Sequence, residues 1–487
     1  MTAELTDLDA ETTRELARRR FQYLAPTGRS GRGGRRGRRA KVPTAGLPPG
    51  PRWPALLQTL ALIRFRHQLH PWLHRRYGDA FTLRLVPGAA PLVLFTSPEV
   101  TKEIFAGDPE VFHAGKGNAI LGPLLGEHSL LLQDSLEHHR ARKLLMPAFL
   151  GHALRGYRDL VAEVAAAEAD GWGDGETFRA LDRMNALTLE VILRVVFGVG
   201  EGERLRELRP RVNRTVEISP LVLLGWAYPR LQRFRLWRET LDNQVEMDRL
   251  LYAEIAERRA AGDLGERNDV LSRLLRVGAD PDTGVDAADG LSDTELRDQL
   301  VTLVLAGHET TASALSWALY ELGRDPDLLA RSQRAADARD AEGDAWLEAV
   351  LKESMRLHPI IPMVVRMLQR PTTVGGYHLP AGATVGPSII VSHQDPEEFP
   401  EPGEFRPERF LADLNGGHVP PLNVWIPFGG GVRRCIGAGF SLMEGTVVLG
   451  EVLRRFDVAT VGGDVPKVRN ITSVPRRGAR IRVTRRR

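Results

Sequence analysis

The chain contains a single cysteine, Cys435, and this one residue limits how the chain can be held together. No intramolecular disulfide can form, so stability must come from a buried hydrophobic core, and nothing indicates secretion. With 487 residues, of which 43% are hydrophobic and 26% charged, the chain can bury such a core and is neither disordered nor fibrous. The length fits two or three domains or one large fold.

The N-terminal 45 residues are predicted to be a basic, disordered tail, followed by one domain over residues 46–487. Residues 1–41 carry 11 Lys/Arg against 5 Asp/Glu, and residues 28–41 read GRSGRGGRRGRRAK. Such a segment cannot bury apolar surface. A nucleic-acid-binding arm is the alternative to a solvated tail, because clustered arginines attract phosphate, but no folded recognition motif follows, and no nucleic-acid partner is expected.

No window of the sequence is long and apolar enough for a transmembrane helix. The arginine-rich stretch is followed by Pro and Gly, which does not fit a secretory signal. We therefore expect a cytoplasmic protein without a transmembrane anchor.

The apolar pattern predicts a mainly α chain with small β-sheets, an α+β fold. Residues 53–77 form an amphipathic helix, FTLRLV and PLVLFT form two strands that turn at Pro87-Gly88, and residues 97–275 are mostly helical. The apolar stretch 218–226 is typical of a substrate entrance.

The longest predicted helix spans Asp293–Leu322, about 45 Å at 1.5 Å per residue. Ser292 and Glu295 form a capping box, and Gly323 with Pro326 supplies the stop. A second helix is predicted from about Trp346 to Leu357, and a long coil from 393 to 427 follows the next strands.

The sequence around the cysteine, PFGGGVRRCIGAGFSLME, combines a glycine-rich coil, the thiol and an apolar helical pattern to about Arg454. A helix start favours the thiolate, the form that binds metals. Gly431 and Gly437 would let the backbone approach a large flat ligand, and Arg433 could pair with a carboxylate. One thiolate without nearby Cys or His cannot build a zinc or iron–sulfur site, but it can be the axial ligand of a haem.

This segment resembles the haem-binding loop of the cytochrome P-450 monooxygenases, with Phe428, Gly431, Arg433, Cys435 and Gly437 at the family's spacing. The resemblance covers residues 45 to 485. It implies the cytochrome P-450 fold, with haem b between a long central helix and a loop whose Cys435 ligates the haem iron. A buried structural cysteine in a glycine-rich turn is the alternative.

The predicted long helix carries Gly307, Glu309 and Thr310 within an otherwise apolar run, similar to the family's acid–alcohol pair. The resemblance implies that Gly307 leaves room for oxygen, Thr310 hydrogen-bonds reduced oxygen and Glu309 relays protons from water. The alternative is that Thr310 bonds back to its own helix while Glu309 lies at the surface.

Glu353 and Arg356 in LKESMRLHP, with Arg409 in FRPERF, resemble the family's structural charge cluster. The Glu-x-x-Arg spacing alone is uninformative, since ordinary helical ion pairs such as Glu203/Arg206 share it. The resemblance implies a buried, fully hydrogen-bonded cluster that holds the coil before the Cys435 loop.

Cationic side chains at three places resemble the family's haem-propionate ligands. His138 and Arg142 are four residues apart in DSLEHHRARKLLMPAF and would share one helical face, with His139 as a competing candidate. Arg366 lies where the family has a further propionate arginine, with a surface strand residue as the alternative. Arg142, Arg366 and Arg433 would then place three cations beside the two propionate carboxylates.

The resemblance implies a bacterial haem-thiolate monooxygenase that inserts one oxygen atom from O2 into a hydrophobic molecule. A terpenoid, fatty acyl or polyketide-like substrate of secondary metabolism fits the aliphatic pocket that we expect. The expected pocket residues are Ile120, Ala306, Ile361 and Val364. Electrons would come from a separate ferredoxin and its reductase, docking on the Cys435 side near Arg434 and Lys467.

Two other functions remain open from the sequence. The first is a peroxide-using or non-hydroxylating haem-thiolate enzyme, against which an intact Glu309/Thr310 pair argues. The second is a haem-based sensor that binds a gas and signals through the basic tail, against which the lack of a second recognisable domain argues.

Overall fold

A computed structural model describes residues 46–86, 90–198, 203–216, 218, 222, 234–277 and 290–487. The basic segment 1–45, the predicted turn at Pro87-Gly88 and most of the apolar stretch 218–226 lie outside the described residues.

Helices make up most of the described chain. The α-helices are α1 (Ala55–Tyr77), α2 (Pro98–Ala106), α3 (Ala114–Gly117), α4 (Gly122–Leu125), α5 (Ser135–Leu145), α6 (Gly151–Asp170), α7 (Ala180–Phe197), α8 (Glu203–Val216), α9 (Arg235–Ala260), α10 (Val270–Val277), α11 (Asp293–Leu322), α12 (Pro326–Ala338), α13 (Ala341–Leu357), α14 (Ile389–Ser392) and α15 (Ala438–Arg455).

Short strands form several small sheets beside the helices. The strands are β1 (Ala80–Arg84), β2 (Pro91–Phe95), β3 (Phe112–His113), β4 (Thr177–Arg179), β5 (Arg366–Leu368), β6 (Thr372–Val374), β7 (Tyr377–Leu379), β8 (Thr384–Pro387), β9 (Phe456–Thr460), β10 (Pro466–Arg469), β11 (Thr472–Pro475) and β12 (Arg480–Arg485). The largest sheet has the order β1-β2-β8-β5-β3, in which β2 and β8 are parallel. The others are β4-β12-β9 and the hairpins β6-β7 and β10-β11. The predicted α+β class is confirmed.

The central element is α11, whose bounds match the predicted helix. The Ser292 side chain accepts from the Glu295 amide and the Glu295 side chain accepts from the Ser292 amide, so the predicted capping box is present. Because α11 packs against α7, α9, α13 and α15, most of its side chains are buried. The second predicted helix, α13, begins at Ala341 rather than Trp346, because Asp340 caps it by accepting from the Gly343 amide.

A loop before α5 is fixed to α11 by polar side chains. Asp298 accepts from the His128 amide at 3.1 Å, and Gln299 accepts from the Leu130 amide at 3.1 Å. Gly126 reaches this position with φ +88°, and a Cβ there would overlap the Asp298 carboxylate. These contacts therefore fix the position of the loop along α11.

None of the helices in the described ranges is both long and apolar enough to cross a membrane.

A candidate cofactor site at Cys435

The loop that carries the thiol is a tight coil closed by backbone hydrogen bonds. The Cys435 amide donates to the Phe428 carbonyl at 2.9 Å, and the Arg434 amide donates to the Gly431 carbonyl at 3.0 Å. Gly431 has φ +65°, and a Cβ there would lie 2.0 Å from the Phe105 carbonyl oxygen. Packing against Phe105, rather than a flat ligand, therefore requires this glycine. Gly437 differs, because a Cβ there would contact nothing within 4 Å.

The Cys435 side chain is exposed although much protein surrounds it. Desolvation by this surrounding protein raises the pKa of the thiol, and the Gly437 amide, Arg142 and Arg434 only partly oppose it. The thiolate expected at this helix start stays a prediction, and desolvation is the effect that opposes it. The thiol would lose its proton on binding a metal. Among the described residues, no cluster of three His, Cys, Asp or Glu side chains could hold a metal ion.

An excess of positive charge lies beside the thiol. Arg366 is buried in β5, which rules out a surface strand residue, and burial and the Arg433 charge lower its pKa to about 10. Desolvation is also the largest effect on the pKa of Arg142, which it lowers. Asp134 is the carboxylate that pairs with Arg433, at 2.7 Å. Among the described residues no ion pair joins an Asp or Glu to Arg142 or Arg366, so the cluster fits an anionic ligand such as two propionates.

His138 belongs to this cluster and His139 does not. The His138 side chain is buried on the inner face of α5, whereas His139 is exposed to solvent. Burial, followed by the charges of Arg433 and Arg142, lowers the pKa of His138 to about 3. His138 is therefore neutral near pH 7 and can donate one N–H.

The sequence did not reveal the hydrogen-bond partners of Arg433 within the protein. Its guanidinium donates to the carbonyls of Leu130 and Gln133 as well as to the Asp134 carboxylate. Asp134 also accepts from the amides of Gly115 and Lys116 at 2.8 and 3.0 Å. Asp134 thus ties α3 to the Cys435 loop. It stood in the quoted α5 segment, but its partner lies 299 positions away.

The middle of α11 opens onto free space at one point. Ala306 is exposed, although the helix around it is mostly buried. The Thr310 hydroxyl donates to the Ala306 carbonyl at 2.9 Å, which is the back-bond that the sequence left open. A Cβ on Gly307 would lie 2.8 Å from Ile192 Cδ1, so this glycine lets α11 pack closely against α7, and its predicted role of leaving room for oxygen stays a prediction.

Glu309 is buried, so its predicted surface alternative was wrong. Arg469 Nε lies 3.3 Å from Glu309 Oε1, and it reaches α11 from the end of β10. Three backbone carbonyls in the turn after Arg469 accept from the buried side chain of Arg66 on α1. A residue that the motifs did not indicate therefore contacts the predicted catalytic acid.

The segment after α13 lies beside the Cys435 loop. The Ile360 carbonyl accepts from the Ser473 amide of β11 at 2.8 Å, and the position of a Cβ on Gly429 lies 3.9 Å from the Val364 side chain. The segment therefore runs from the β10-β11 hairpin to the Cys435 loop. Ile361 and Val364 are half-buried, and Ile120 is 42% exposed.

The predicted charge cluster is assembled in the core. Arg356 donates to both Glu353 oxygens at 2.7 and 2.8 Å, and Arg409 Nε lies 3.3 Å from Glu353 Oε1. Arg356 also donates to the carbonyls of His393, Pro402 and Glu404. The side chains of Glu353 and Arg356 are fully buried, so this network satisfies the charges as their burial requires.

The two cations predicted to bind an electron donor do not form one surface. The Arg434 charge acts on Cys435 and Arg142, so it lies near the thiol. Lys467 is exposed, but it lines a groove with Arg64 and Phe65 of α1. Lys467 therefore lies beside α1, and its predicted role in docking an electron donor stays a prediction.

A family model and curated relatives match most of the chain. A family model described as cytochrome P450 matches residues 47–483. The chain is 50% identical to "Putative cytochrome P450 135A1" of Mycobacterium tuberculosis over 90% of this chain and 96% of the relative. It is 43% identical to "Putative cytochrome P450 135B1" of Mycobacterium bovis, over 90% of this chain and 91% of the relative.

Solved structures share the fold along nearly the whole chain. A retinoic acid-bound cyanobacterial CYP120A1 matches with a TM-score of 0.77 and 25% identity, covering 92% of this chain and all of that one. The cytochrome P450DA haem domain matches with a TM-score of 0.77 and 26% identity, covering 90% and 98%.

Proposed function

This chain belongs to the cytochrome P450 family of haem b monooxygenases, and we propose that it inserts one oxygen atom from O2 into a hydrophobic small molecule. The observation that carries the proposal is the lone, exposed thiol of Cys435 near the half-buried Arg142 and the buried Arg366, neither of which pairs with a carboxylate among the described residues. Haem b, when bound, supplies the oxygen activation. The chain's own residues hold the cofactor, exclude water and deliver protons.

Cofactor binding is proposed to use the thiol on one side and the cation cluster at the edge. Cys435 would ligate the iron as a thiolate. Arg142 and Arg366 would neutralise the propionates, since they have no carboxylate partner among the described residues. His138 would add a neutral N–H, and Arg433 would act mainly by fixing Asp134 and the loops around it.

Proton delivery is proposed to run through Glu309 and Thr310. The buried Glu309 carboxylate can take a proton from water and release it inside the cavity. The Thr310 hydroxyl donates to Ala306, so its oxygen remains free to accept a proton or a hydrogen bond. Arg469 would act as a positioning residue that holds Glu309 in the outer part of this path.

The substrate is proposed to be apolar, of the terpenoid, fatty acyl or polyketide type found in secondary metabolism. Ile361 and Val364 are aliphatic and half-buried, and Ala306 is exposed on α11. Retinoic acid, an isoprenoid bound by the similar cyanobacterial protein, is of the same class. Tight binding only of a small, strongly charged molecule would contradict this proposal.

Electrons are proposed to come from a separate ferredoxin and its reductase in the cytoplasm. The donor would dock near Arg434, on the surface closest to the thiol. Arg434→Glu should slow reduction at low ionic strength, and high salt should diminish the difference.

The deciding experiment is the carbon monoxide difference spectrum of the reduced protein for wild type and Cys435→Ser. A strongly red-shifted Soret band in the wild type that the variant lacks is the expected result. An unshifted band that is the same in both proteins would refute thiolate ligation.

The proton path has its own test, in which Arg469→Met and Arg469→Lys are compared with Thr310→Ala. We expect Thr310→Ala and Arg469→Met to divert electrons from product to hydrogen peroxide, with Arg469→Lys partly restoring product. If peroxide drives turnover and Thr310→Ala leaves reductase-coupled turnover unchanged, the enzyme is a peroxygenase and the path is wrong.

A further inference from the structure

The hairpin β10-β11 carries Arg469, whose Nε lies 3.3 Å from Oε1 of Glu309. In the part of the chain that the structure describes, the two strands of this hairpin pair only with each other. A two-stranded hairpin is at best marginally stable by itself in water. The position of Arg469 beside Glu309 therefore depends on the contacts that hold the hairpin turn, which we define as residues 469–473.

Helix α1 holds the turn through the buried Arg66. The guanidinium of Arg66 donates to the carbonyls of Asn470, Ile471 and Thr472, at 2.7, 3.2 and 3.5 Å. This side chain forms no ion pair with a carboxylate of the described residues, and desolvation lowers its pKa to about 10. Burial of an unpaired cation is costly, and binding three successive carbonyls requires a group with several N–H donors. The contact is therefore specific to an arginine at this place.

Helix α8 holds the turn from a second direction. Asn470 Nδ2 donates to the carbonyl of Val216, the residue at which α8 ends, at 2.6 Å. The last carbonyls of a helix lack partners within the helix, so this bond satisfies one of them. Asn470 has φ +54°, a conformation that asparagine adopts more readily than most other residues. One residue therefore shapes the turn and joins it to α8.

The remaining contacts close the turn and fix its far end. The Thr472 hydroxyl donates to the Arg469 carbonyl at 2.7 Å. The Ser473 amide donates to the Ile360 carbonyl at 2.8 Å, and the Ser473 hydroxyl lies 2.7 Å from Nε2 of His67. Five consecutive residues therefore contact α1, α8, α11 and the segment after α13. Connecting turns are ordinarily solvated and mobile, so this one is held more tightly than its place in a hairpin requires.

We propose that Arg66 and Asn470 are positioning residues for Glu309 that act through Arg469. They fix the turn, the turn fixes Arg469, and Arg469 holds the Glu309 carboxylate where it can pass on a proton. The inference rests on the proposed function in one respect, namely that Glu309 delivers the proton. A purely structural role of the turn would affect stability without changing the interaction between Arg469 and Glu309.

The first test measures the interaction between Arg469 and Glu309 by a double-mutant cycle of urea unfolding, on the full-length, haem-loaded protein. The cycle uses Arg469→Met, Glu309→Gln and the double variant, first in the wild type and then with Asn470→Gly or Arg66→Met added. In the wild type, the double variant should be destabilised by less than the sum of the two single variants. With either substitution added, the effects should become additive, because Arg469 is no longer held beside Glu309.

The chain offers a control for each added substitution. Asn470→Gly removes the side chain without straining the turn, because glycine adopts positive φ freely. Gln58→Met is the matched control for Arg66→Met, since Gln58 is also a buried polar residue of α1 but donates to carbonyls just before the helix. Gln58→Met should lower the urea midpoint and leave the non-additivity of the cycle unchanged.

The second test measures hydrogen peroxide formed relative to water during reductase-driven O2 consumption without added substrate. Peroxide takes two electrons and two protons per O2 and water takes four of each, so poorer proton delivery favours peroxide. Arg66→Met and Asn470→Gly should raise this ratio at least about twofold, and Arg66→Lys should restore part of the water. In a Glu309→Gln background neither should raise it further.

The outcomes separate the inference from the proposed function. Additivity already in the wild type, or the same non-additivity after Arg66→Met and Asn470→Gly, would refute the positioning role. If Glu309→Gln raises the peroxide ratio and these two substitutions do not, the positioning role is also wrong and the proton path stands. If the cycle behaves as expected but Glu309→Gln leaves the ratio unchanged, the turn positions Glu309 and the proposed proton path is wrong. Should Arg66→Met fail to fold, Asn470→Gly alone decides.

Discussion

Glu444, on the helix that follows the cysteine loop, is completely buried next to the long helix. Desolvation raises the pKa of its carboxyl well above the ordinary value, and the nearby Thr311 hydroxyl opposes this only weakly. Neither carboxyl oxygen has a partner in good hydrogen-bond geometry among the described residues. The side chain is therefore protonated in the folded protein at pH values where an exposed glutamate is charged.

Glu444→Gln should stabilise the protein above about pH 4.5. The wild-type carboxyl keeps its proton when folded and releases it on unfolding, so its contribution is fully present below the unfolded pKa and is lost as pH rises toward the folded pKa. The amide of the variant does not titrate, so its free energy of unfolding should exceed that of the wild type by an amount that grows by up to about 1.4 kcal/mol per pH unit. Urea unfolding at pH 4, 6 and 8 measures it. Glu110→Gln, at an exposed carboxyl, is the control, and parallel curves for wild type and Glu444→Gln would contradict the prediction.

Single residues differ in how far the sequence could predict them. Cys435, Glu353 and Arg356 stand in motifs whose spacing indicates their surroundings. Asp134 and Arg469 do not, because each is defined by a partner that is distant in sequence, Arg433 and Glu309. The contacts of Gly307 with Ile192 and of Gly431 with Phe105 could not be predicted either, since these neighbours are also distant in sequence.

At the scale of elements, the predicted helices were largely right because their ends are marked locally. A capping box and a Gly-Pro stop fix α11 without reference to the rest of the fold. The docking of the loop before α5 onto α11 could not be predicted, since Asp298 and Gln299 look like ordinary helix surface residues in the sequence.

Gly126→Ala tests this docking and should destabilise the protein by more than about 2 kcal/mol. The residue has φ +88°, and the new Cβ would overlap the Asp298 carboxylate. Gly122→Ala is the matched control, because its φ is −49° and a Cβ there meets nothing within 4 Å. Thermal unfolding measures the melting temperatures of both variants, and equal values would show that the loop is not held as described.

At the scale of the whole molecule, four histidines besides His138 favour the neutral form, of which His70, His308 and His393 are buried and His67 is half-buried. Burial lowers the pKa of His67 and His308 to about 4 and that of His70 and His393 to about 3. Below about pH 6.5, the ordinary pKa of histidine, each of these side chains binds a proton when the protein unfolds. The stability that the neutral side chain contributes is therefore fully present above pH 6.5, and it is lost as the pH falls toward the pKa in the folded protein.

The free energy of unfolding should therefore fall steeply below pH 6.5, by up to about 5 kcal/mol per pH unit for four protons. The urea midpoint measured between pH 7 and pH 4.5 reports this slope. His70→Gln should reduce the slope by about one proton, whereas His139→Gln, at an exposed position, should leave it unchanged. A midpoint that is constant over this range would show that the histidines are protonated when folded.

The guanidinium of Arg356 also bears on the order in which the protein is built. The arginine leaves the ribosome before the coil whose carbonyls it binds, and this coil leaves before the cysteine loop. The coil that supports the cysteine loop can therefore fold onto Arg356 while the cysteine loop is still being synthesised. Haem that arrived earlier would find arginines but no thiol, so stable capture of the cofactor should be among the last events in the maturation of the protein.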